Sequence, residues 1–244
     1  MSISSSVAVK IIAIDLFGVL LKDTYKAWYE ERTDILNKSI VESNNKTPVP
    51  YPEYFADLIK NKGYSPTYPQ YLTDLIHANE EGKIKDHSFY SELSRISGET
   101  EESLHKMIHA SIVNEGIVDL IIELKSQGHK IGLLTNAQSD IVEELLKINK
   151  FDFFDFKLCA GDKGVNKTNE ALLNSMMSYW LLEYNTLLKE DKALLKQKIL
   201  LIDESPKEVE EFKKLGFPAI LFQGALVLKE SLRKTLQESL GIFL

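Results

Sequence analysis

Cysteine is almost missing from this chain. Cys159 is the single one in 244 residues, so no disulfide can form within the chain and paired-cysteine zinc or redox motifs are absent. That usage fits a reducing compartment. Long apolar runs are missing too: none approaches the roughly 18 residues a membrane span requires. The first ten residues lack a basic stretch followed by an apolar one and a cleavage site, so we read no signal peptide and expect a cytoplasmic protein with no membrane partner. Positive charge is not in excess. The 29 Lys and Arg face 36 Asp and Glu, a net charge of −7, which argues against a broad nucleic-acid surface. A local pocket on an acidic protein can still be positive, so an anionic substrate stays open.

Apolar residues make up 44% of the chain and charged residues 27%, which excludes a disordered, collagenous or coiled-coil chain. Five short, continuously apolar runs read as strands buried on both faces: Val7–Ile14, Lys130–Leu134, Phe156–Ala160, Lys198–Ile202 and Ala219–Phe222. Helical patterns separate the later ones, over Ser139–Ile148, Asn169–Leu182 and Pro206–Leu215, the last opened by Pro206 and closed by Gly216. Alternation of strand and helix predicts an α/β fold with a doubly wound parallel sheet. Between the first and second runs no buried strand is visible. Helices are expected over Thr24–Val41, Tyr51–Lys60, Tyr68–Asn79, Ser88–Ile96 and Glu101–Val113, with prolines marking loops between some of them. A bare connection of that length is uncommon, so the expectation is a core of residues 1–20 and 110–244 and an inserted α-helical subdomain over residues 21–109. A last helix is expected over Leu226–Leu240, packed on the sheet. Ser175–Leu182 reads as a largely buried helical segment, and Leu187–Gln197 as a solvated amphipathic helix.

Chemically useful residues fall just after the apolar runs. Asp15 follows the first, Thr135 and Asn136 the second, Asp203 and Glu204 the fourth. In an open parallel sheet the carboxyl ends of the strands share one edge, where ligands bind. This topology would bring Asp15 and Asp203 together although 188 residues separate them. Paired carboxylates form a hard oxygen site suited to Mg²⁺. Such an ion neutralises phosphate oxygens while a carboxylate attacks phosphorus. Each residue alone also suits a turn or helix cap; their order carries the argument.

These residues resemble the haloacid dehalogenase-like (HAD) hydrolase superfamily. Ile12-Ala13-Ile14-Asp15-Leu16-Phe17-Gly18-Val19 is similar to its first motif and Leu133-Leu134-Thr135-Asn136 to its second. Lys167 is the better match to its motif lysine, ahead of Lys163. Ile199-Leu200-Leu201-Ile202-Asp203-Glu204 is similar to its acidic fourth motif. The resemblance implies a Rossmann-like core with a helical cap between motifs one and two. It further implies Asp15 as nucleophile, Thr135 and Lys167 as catalytic partners, and Phe17, Gly18 and Asn136 against the substrate. Asp15, the Phe17 carbonyl, Asp203 and Glu204 would hold Mg²⁺. The expected activity is phosphatase action on a small phosphorylated metabolite.

One position departs from the pattern. Phosphatases of this superfamily carry a second Asp two residues after the nucleophile, as general acid and base, and here Phe17 stands there. General acid–base help is worth about 10²–10⁴-fold. An aromatic residue at this position resembles the superfamily's dehalogenases, whose halide leaving group needs no proton. The retained acidic pair, Val19 in place of Thr and the lack of an arginine in the expected cap position (Arg32 lies too early) speak against that reading. A catalytically impaired binding protein on the same scaffold is the third. His105 and His109 stand i,i+4 on an expected helix, but no third ligand accompanies them, and both read as surface histidines. The insert's aromatics, Trp28 and Tyr54 among them, read as its core. Arg32 and Lys46 are candidate anion contacts, and Cys159 reads as a small apolar residue on the third strand.

Overall fold

A computed structural model of the chain describes residues 11–22, 75, 78–79, 83–97, 99–108, 112–180 and 192–240. The chain divides into two compact units, Met1–Lys22 with Ser111–Leu244, and Asp23–Ala110. In the first, the strands are β1 (Ile11–Ile14), β2 (Lys130–Thr135), β3 (Phe156–Cys159), β4 (Ile199–Asp203) and β5 (Ala219–Leu221). They form one parallel sheet in the order β3-β2-β1-β4-β5. Its helices are α3 (Ile117–Ser126), α4 (Ser139–Asn149), α5 (Glu170–Trp180), α6 (Lys192–Lys196), α7 (Pro206–Lys214) and α8 (Ala225–Leu240). The second unit contains α1 (Asp86–Ser97) and α2 (Glu101–Ile108), which pack on each other.

The strands form because their residues are apolar on both faces, and the pleat deals them alternately to two cores. Ile12, Ile14, Ile131, Leu133, Leu200 and Ile202 meet apolar residues of α3, α4 and α8 on one face. Ile11, Ala13, Leu134, Ile199 and Leu201 meet α5 and α7 on the other. Each such aliphatic side chain, fully buried, is worth about 1.5–3 kcal/mol. Within β2, Gly132 leaves room for the Trp180 ring: a Cβ there would lie 2.6 Å from it. Trp180 stacks on Phe156 in turn, with ring centroids 5.3 Å apart.

The strand order places the functional edge. After β1 the chain moves outward to β2 and β3, then crosses back to β4 beside β1 and continues to β5. The switch point therefore lies between the carboxyl ends of β1 and β4. Ile14 pairs with Ile202 in register, and the Asp15 N–H donates to the Ile202 carbonyl at 3.0 Å. The residues that follow, Asp15 and Asp203, are thus neighbours.

Several expectations need adjustment. The helix expected over Glu101–Val113 is described only to Ile108, and Val113 instead pairs with Leu21. The segment expected to be largely buried keeps Met176, Met177 and Trp180 inside, but Tyr179 is 68% exposed. Leu228 and Leu232 of α8 are buried in the sheet's core as expected, whereas Leu226 is exposed. His105 is exposed and its ring lies against Tyr90, centroids 4.2 Å apart. Arg32, Lys46, His109, most of the insert's aromatics, residues 7–10 and much of Leu187–Gln197 lie outside the described residues.

Candidate active site

Asp15 leaves the end of β1 with its side chain buried, 5% exposed. Its two oxygens are held separately. The Leu16 N–H donates to Oδ1 at 2.7 Å, and Lys167 Nζ donates to Oδ2 at 2.5 Å. Lys167 lies in the loop before α5 and is 2% exposed. Its ammonium also meets Asp203 Oδ2 at 2.7 Å and Glu208 Oε2 at 2.9 Å. One buried cation thus bridges three carboxylates from three parts of the sequence. Lys163, the runner-up for this position, is exposed at the end of a 3₁₀ turn.

Glu208 is the residue the sequence reading missed. It stands in the first turn of α7, whose N-cap is Ser205 and whose first residue is Pro206. Ser-Pro-Lys-Glu fits a capping box, and Ser205 Oγ does accept from the Glu208 N–H at 3.4 Å. The other half of that box is not made. The Ser205 N–H donates to Asp203 Oδ1 at 2.9 Å, which frees the Glu208 carboxylate for Lys167. A capping signature whose acid follows a strand-end Asp by five residues was the available signal.

Asn136, expected against the substrate, is bonded to neighbouring protein groups. Its Nδ2 donates to Glu208 Oε1 at 3.1 Å and its Oδ1 accepts the Lys167 N–H at 2.7 Å. Asn166 Nδ2 also reaches Glu208 Oε1, at 3.4 Å. This amide pair fixes the loop that presents the lysine. Thr135, 2% exposed at the end of β2, accepts the Ala137 N–H on its Oγ1 at 3.3 Å. The Phe17 ring is half-buried and packs on the apolar cluster that holds Ile12 and Ile14. Gly18 has φ +79°, a conformation that favours glycine. A Cβ there would collide with the side chain of Glu204, whose Cδ would lie only 2.5 Å away.

Negative charge is in excess here. Asp15, Asp203, Glu204 and Glu208 surround Lys167. Burial, with Glu204 and Glu208 nearby, pushes the Asp15 carboxyl up to about 8 despite Lys167. Burial and then Asp15 push Asp203 up to about 7. Glu204 is pushed up to about 7, by burial and then by Asp203. Burial alone would raise Glu208, but its contacts with Lys167, Asn136 and Asp203 outweigh it and hold that carboxyl below its ordinary value. The Lys167 ammonium is held well above its ordinary value: burial opposes it, and Asp15, Asp203 and Glu208 overcome it.

A hard divalent cation fits this donor set. One oxygen each of Asp15, Asp203 and Glu208 lie within 4.8 Å of one another. Glu204 Oε2 is a buried carboxylate oxygen with no hydrogen-bond partner. The fourth-motif acid expected to assist is Glu204; among the described residues Glu208 lies with Asp15 and Asp203 in the compact oxygen cluster.

Solved structures similar to this chain include a protein described as a predicted HAD-like family hydrolase, from Porphyromonas gingivalis (TM-score 0.55, 17% identity, covering 93% of this chain and 98% of that one). Another is the HAD family enzyme bt-2542 from Bacteroides thetaiotaomicron, in complex with magnesium and inorganic phosphate (TM-score 0.54, 15% identity, 88% and 95% covered). A third is described as a dehalogenase (TM-score 0.50, 14% identity, 91% and 87% covered). At these identities the likeness shows the shared fold. A comparison with curated proteins gives no match. The family model of haloacid dehalogenase-like hydrolases matches residues 9–178, a span that contains Asp15, Thr135 and Lys167. With its parallel sheet wound around an acidic strand edge, the chain belongs to the haloacid dehalogenase-like hydrolases.

Proposed function

We propose that this hydrolase is a Mg²⁺-dependent phosphatase that acts on a small phosphorylated metabolite through an aspartyl-phosphate on Asp15. The observation that carries this reading is the cluster of one oxygen each from Asp15, Asp203 and Glu208 within 4.8 Å of one another, beside the partnerless buried Glu204 Oε2. Bound Mg²⁺ would be held by Asp15, Asp203 and Glu208, with the Phe17 carbonyl and Glu204 as further oxygens, and would supply neutralisation of phosphate oxygens.

The chain's own groups supply the rest. A carboxylate oxygen of Asp15 attacks phosphorus, the bond to the leaving oxygen breaks, that oxygen takes its proton from solvent water, and the phosphoryl group rests on Asp15. Water then attacks that phosphorus and releases inorganic phosphate, returning the carboxylate. Leu16 N–H and Lys167 orient the nucleophile before attack, so little reorganisation remains for the transition state. The Thr135 hydroxyl, whose oxygen accepts the Ala137 N–H, donates a hydrogen bond to a phosphoryl oxygen. Lys167 balances charge as it gathers. Asn136 and Asn166 keep that lysine in place. The unit over Asp23–Ala110 acts as a cap that selects the substrate.

Phe17 favours a second reading, because its ring cannot protonate a leaving oxygen. A 2-haloacid dehalogenase needs no such proton, and a dehalogenase is among the similar folds. The acidic triad supports the phosphatase, since halide displacement has no phosphate charge to neutralise. Phosphate and halide release, each with and without Mg²⁺, separate the two. We expect Mg²⁺-dependent phosphate release that Asp15→Asn abolishes while the circular-dichroism spectrum is unchanged. Substantial phosphate release by the folded variant would remove Asp15 as nucleophile.

A further inference from the structure

The turn that follows the nucleophile is closed from far away in sequence. Asn114 Nδ2 donates to the Gly18 carbonyl at 3.0 Å and to the Val19 carbonyl at 2.7 Å. Both hydrogens of one short amide are therefore spent on two successive peptides. The same residue's backbone N–H donates to the Leu20 carbonyl at 3.0 Å, and its carbonyl accepts from Ile117 at the start of α3 at 3.3 Å. Beyond it, the Lys22 N–H donates to the Ile112 carbonyl at 2.7 Å, and Leu21 pairs with Val113. The two strands of chain that lead into and out of Asp23–Ala110 are thus paired to each other, with Asn114 where they meet the site.

The closed turn bears directly on Asp15. The N–H groups of Leu20 and Leu21 both donate to the Leu16 carbonyl, at 3.1 and 2.8 Å. Leu16 in turn holds Asp15 Oδ1 through its own N–H. Gly18 takes a left-handed conformation that glycine reaches without strain but does not hold by itself, and the two bonds from Asn114 hold the turn in it. Asparagine suits the task. Aspartate has the same shape but offers no donor, and alanine offers neither shape nor donor.

We propose that Asn114 is a positioning residue for the reaction at Asp15: its amide closes the turn Leu16–Leu21 and so fixes the peptide that aims the nucleophile. The catalytic part of this proposal rests on the hydrolase reading above; the structural part does not. A misplacement near 1 Å at a reacting group costs about 10²-fold.

Asn114→Asp and Asn114→Ala test it with two readouts. The first is native-state hydrogen exchange of the Leu20 and Leu21 amides. We expect protection in the wild type and exchange at least about tenfold faster in both variants. The second is turnover of p-nitrophenyl phosphate with Mg²⁺, a substrate whose leaving group needs no protonation. There kcat is expected to fall about 10²-fold with KM within about threefold. Unprotected Leu20 and Leu21 amides in the wild type, unchanged exchange in the variants, or faster exchange with unchanged kcat would each overturn the proposal. A purely structural residue would lower the melting temperature and leave kcat of the folded protein alone. If Asn114→Ala does not fold, the isosteric Asn114→Asp carries both readouts. A wild type that releases neither phosphate nor halide would end the hydrolase reading, and the exchange result would still decide whether Asn114 holds the turn.

Discussion

Lys167 is the residue on which the site's charge depends. It is buried against Asp15, Asp203 and Glu208, all within 2.9 Å of its ammonium. Removing one partner of a buried ionic set costs about 3–5 kcal/mol, because the charges left behind have no counter-charge. Lys167→Met keeps much of the side chain's volume and isolates that effect. We expect a loss of this size in urea unfolding and a fall in turnover of about 10²–10³-fold, the usual consequence of removing a charge-stabilising donor. Phe17 makes the opposite case, since something useful is lacking there. Phe17→Asp places a carboxyl two residues after the nucleophile. For an alkyl phosphate, whose leaving oxygen needs a proton, phosphate release is expected to rise about tenfold or more. For p-nitrophenyl phosphate it should barely change. Equal effects on both substrates would show that proton donation is not what position 17 withholds.

At the level of strands and helices, the sheet was readable because parallel strands buried on both faces leave unbroken apolar runs. Their order put Asp15, Thr135 and Asp203 at one edge, and the structure brings them there. What the sequence hid were contacts whose partners it does not encode locally. Asn114 bonds to backbone carbonyls 95 and 96 residues away, which no residue pattern announces. Glu208 sits in a helix-capping pattern, yet only its N–H takes part in the cap while its carboxylate turns to Lys167. Gly132 was equally silent, since only the packed structure shows the Trp180 ring lying over it. Adding a methyl there forces the indole off its stack with Phe156, and overpacking of this kind costs about 1–3 kcal/mol. Gly132→Ala should lower the urea midpoint accordingly. Combining it with Trp180→Phe, which removes the colliding ring, should cost less than the sum of the two single changes. Strict additivity would show that the ring and the glycine are not coupled.

For the molecule as a whole, Asp155 gives a handle on pH. Burial would raise its carboxyl, but the Ile131 N–H, Lys125 and Lys130 outweigh that and hold it below its ordinary value of 3.8. Lys125 Nζ lies 3.0 Å from Oδ2, and the Ile131 N–H donates to the same oxygen at 2.9 Å. The carboxylate thereby ties α3, β2 and the approach to β3. A carboxyl held low in the folded chain contributes stability above its unfolded value and loses it as pH falls through the folded one. Asp155→Asn should therefore lower unfolding free energy at pH 7, and the gap to wild type should close as pH drops below about 4. A gap that widens toward acid would reverse the assigned direction.

The paired linkers carry an architectural consequence. Because Lys22 and Ile112 are hydrogen-bonded neighbours, the chain leaves the sheet-bearing unit and re-enters it side by side. A segment anchored this way can be lengthened or exchanged without shifting the register of any core strand.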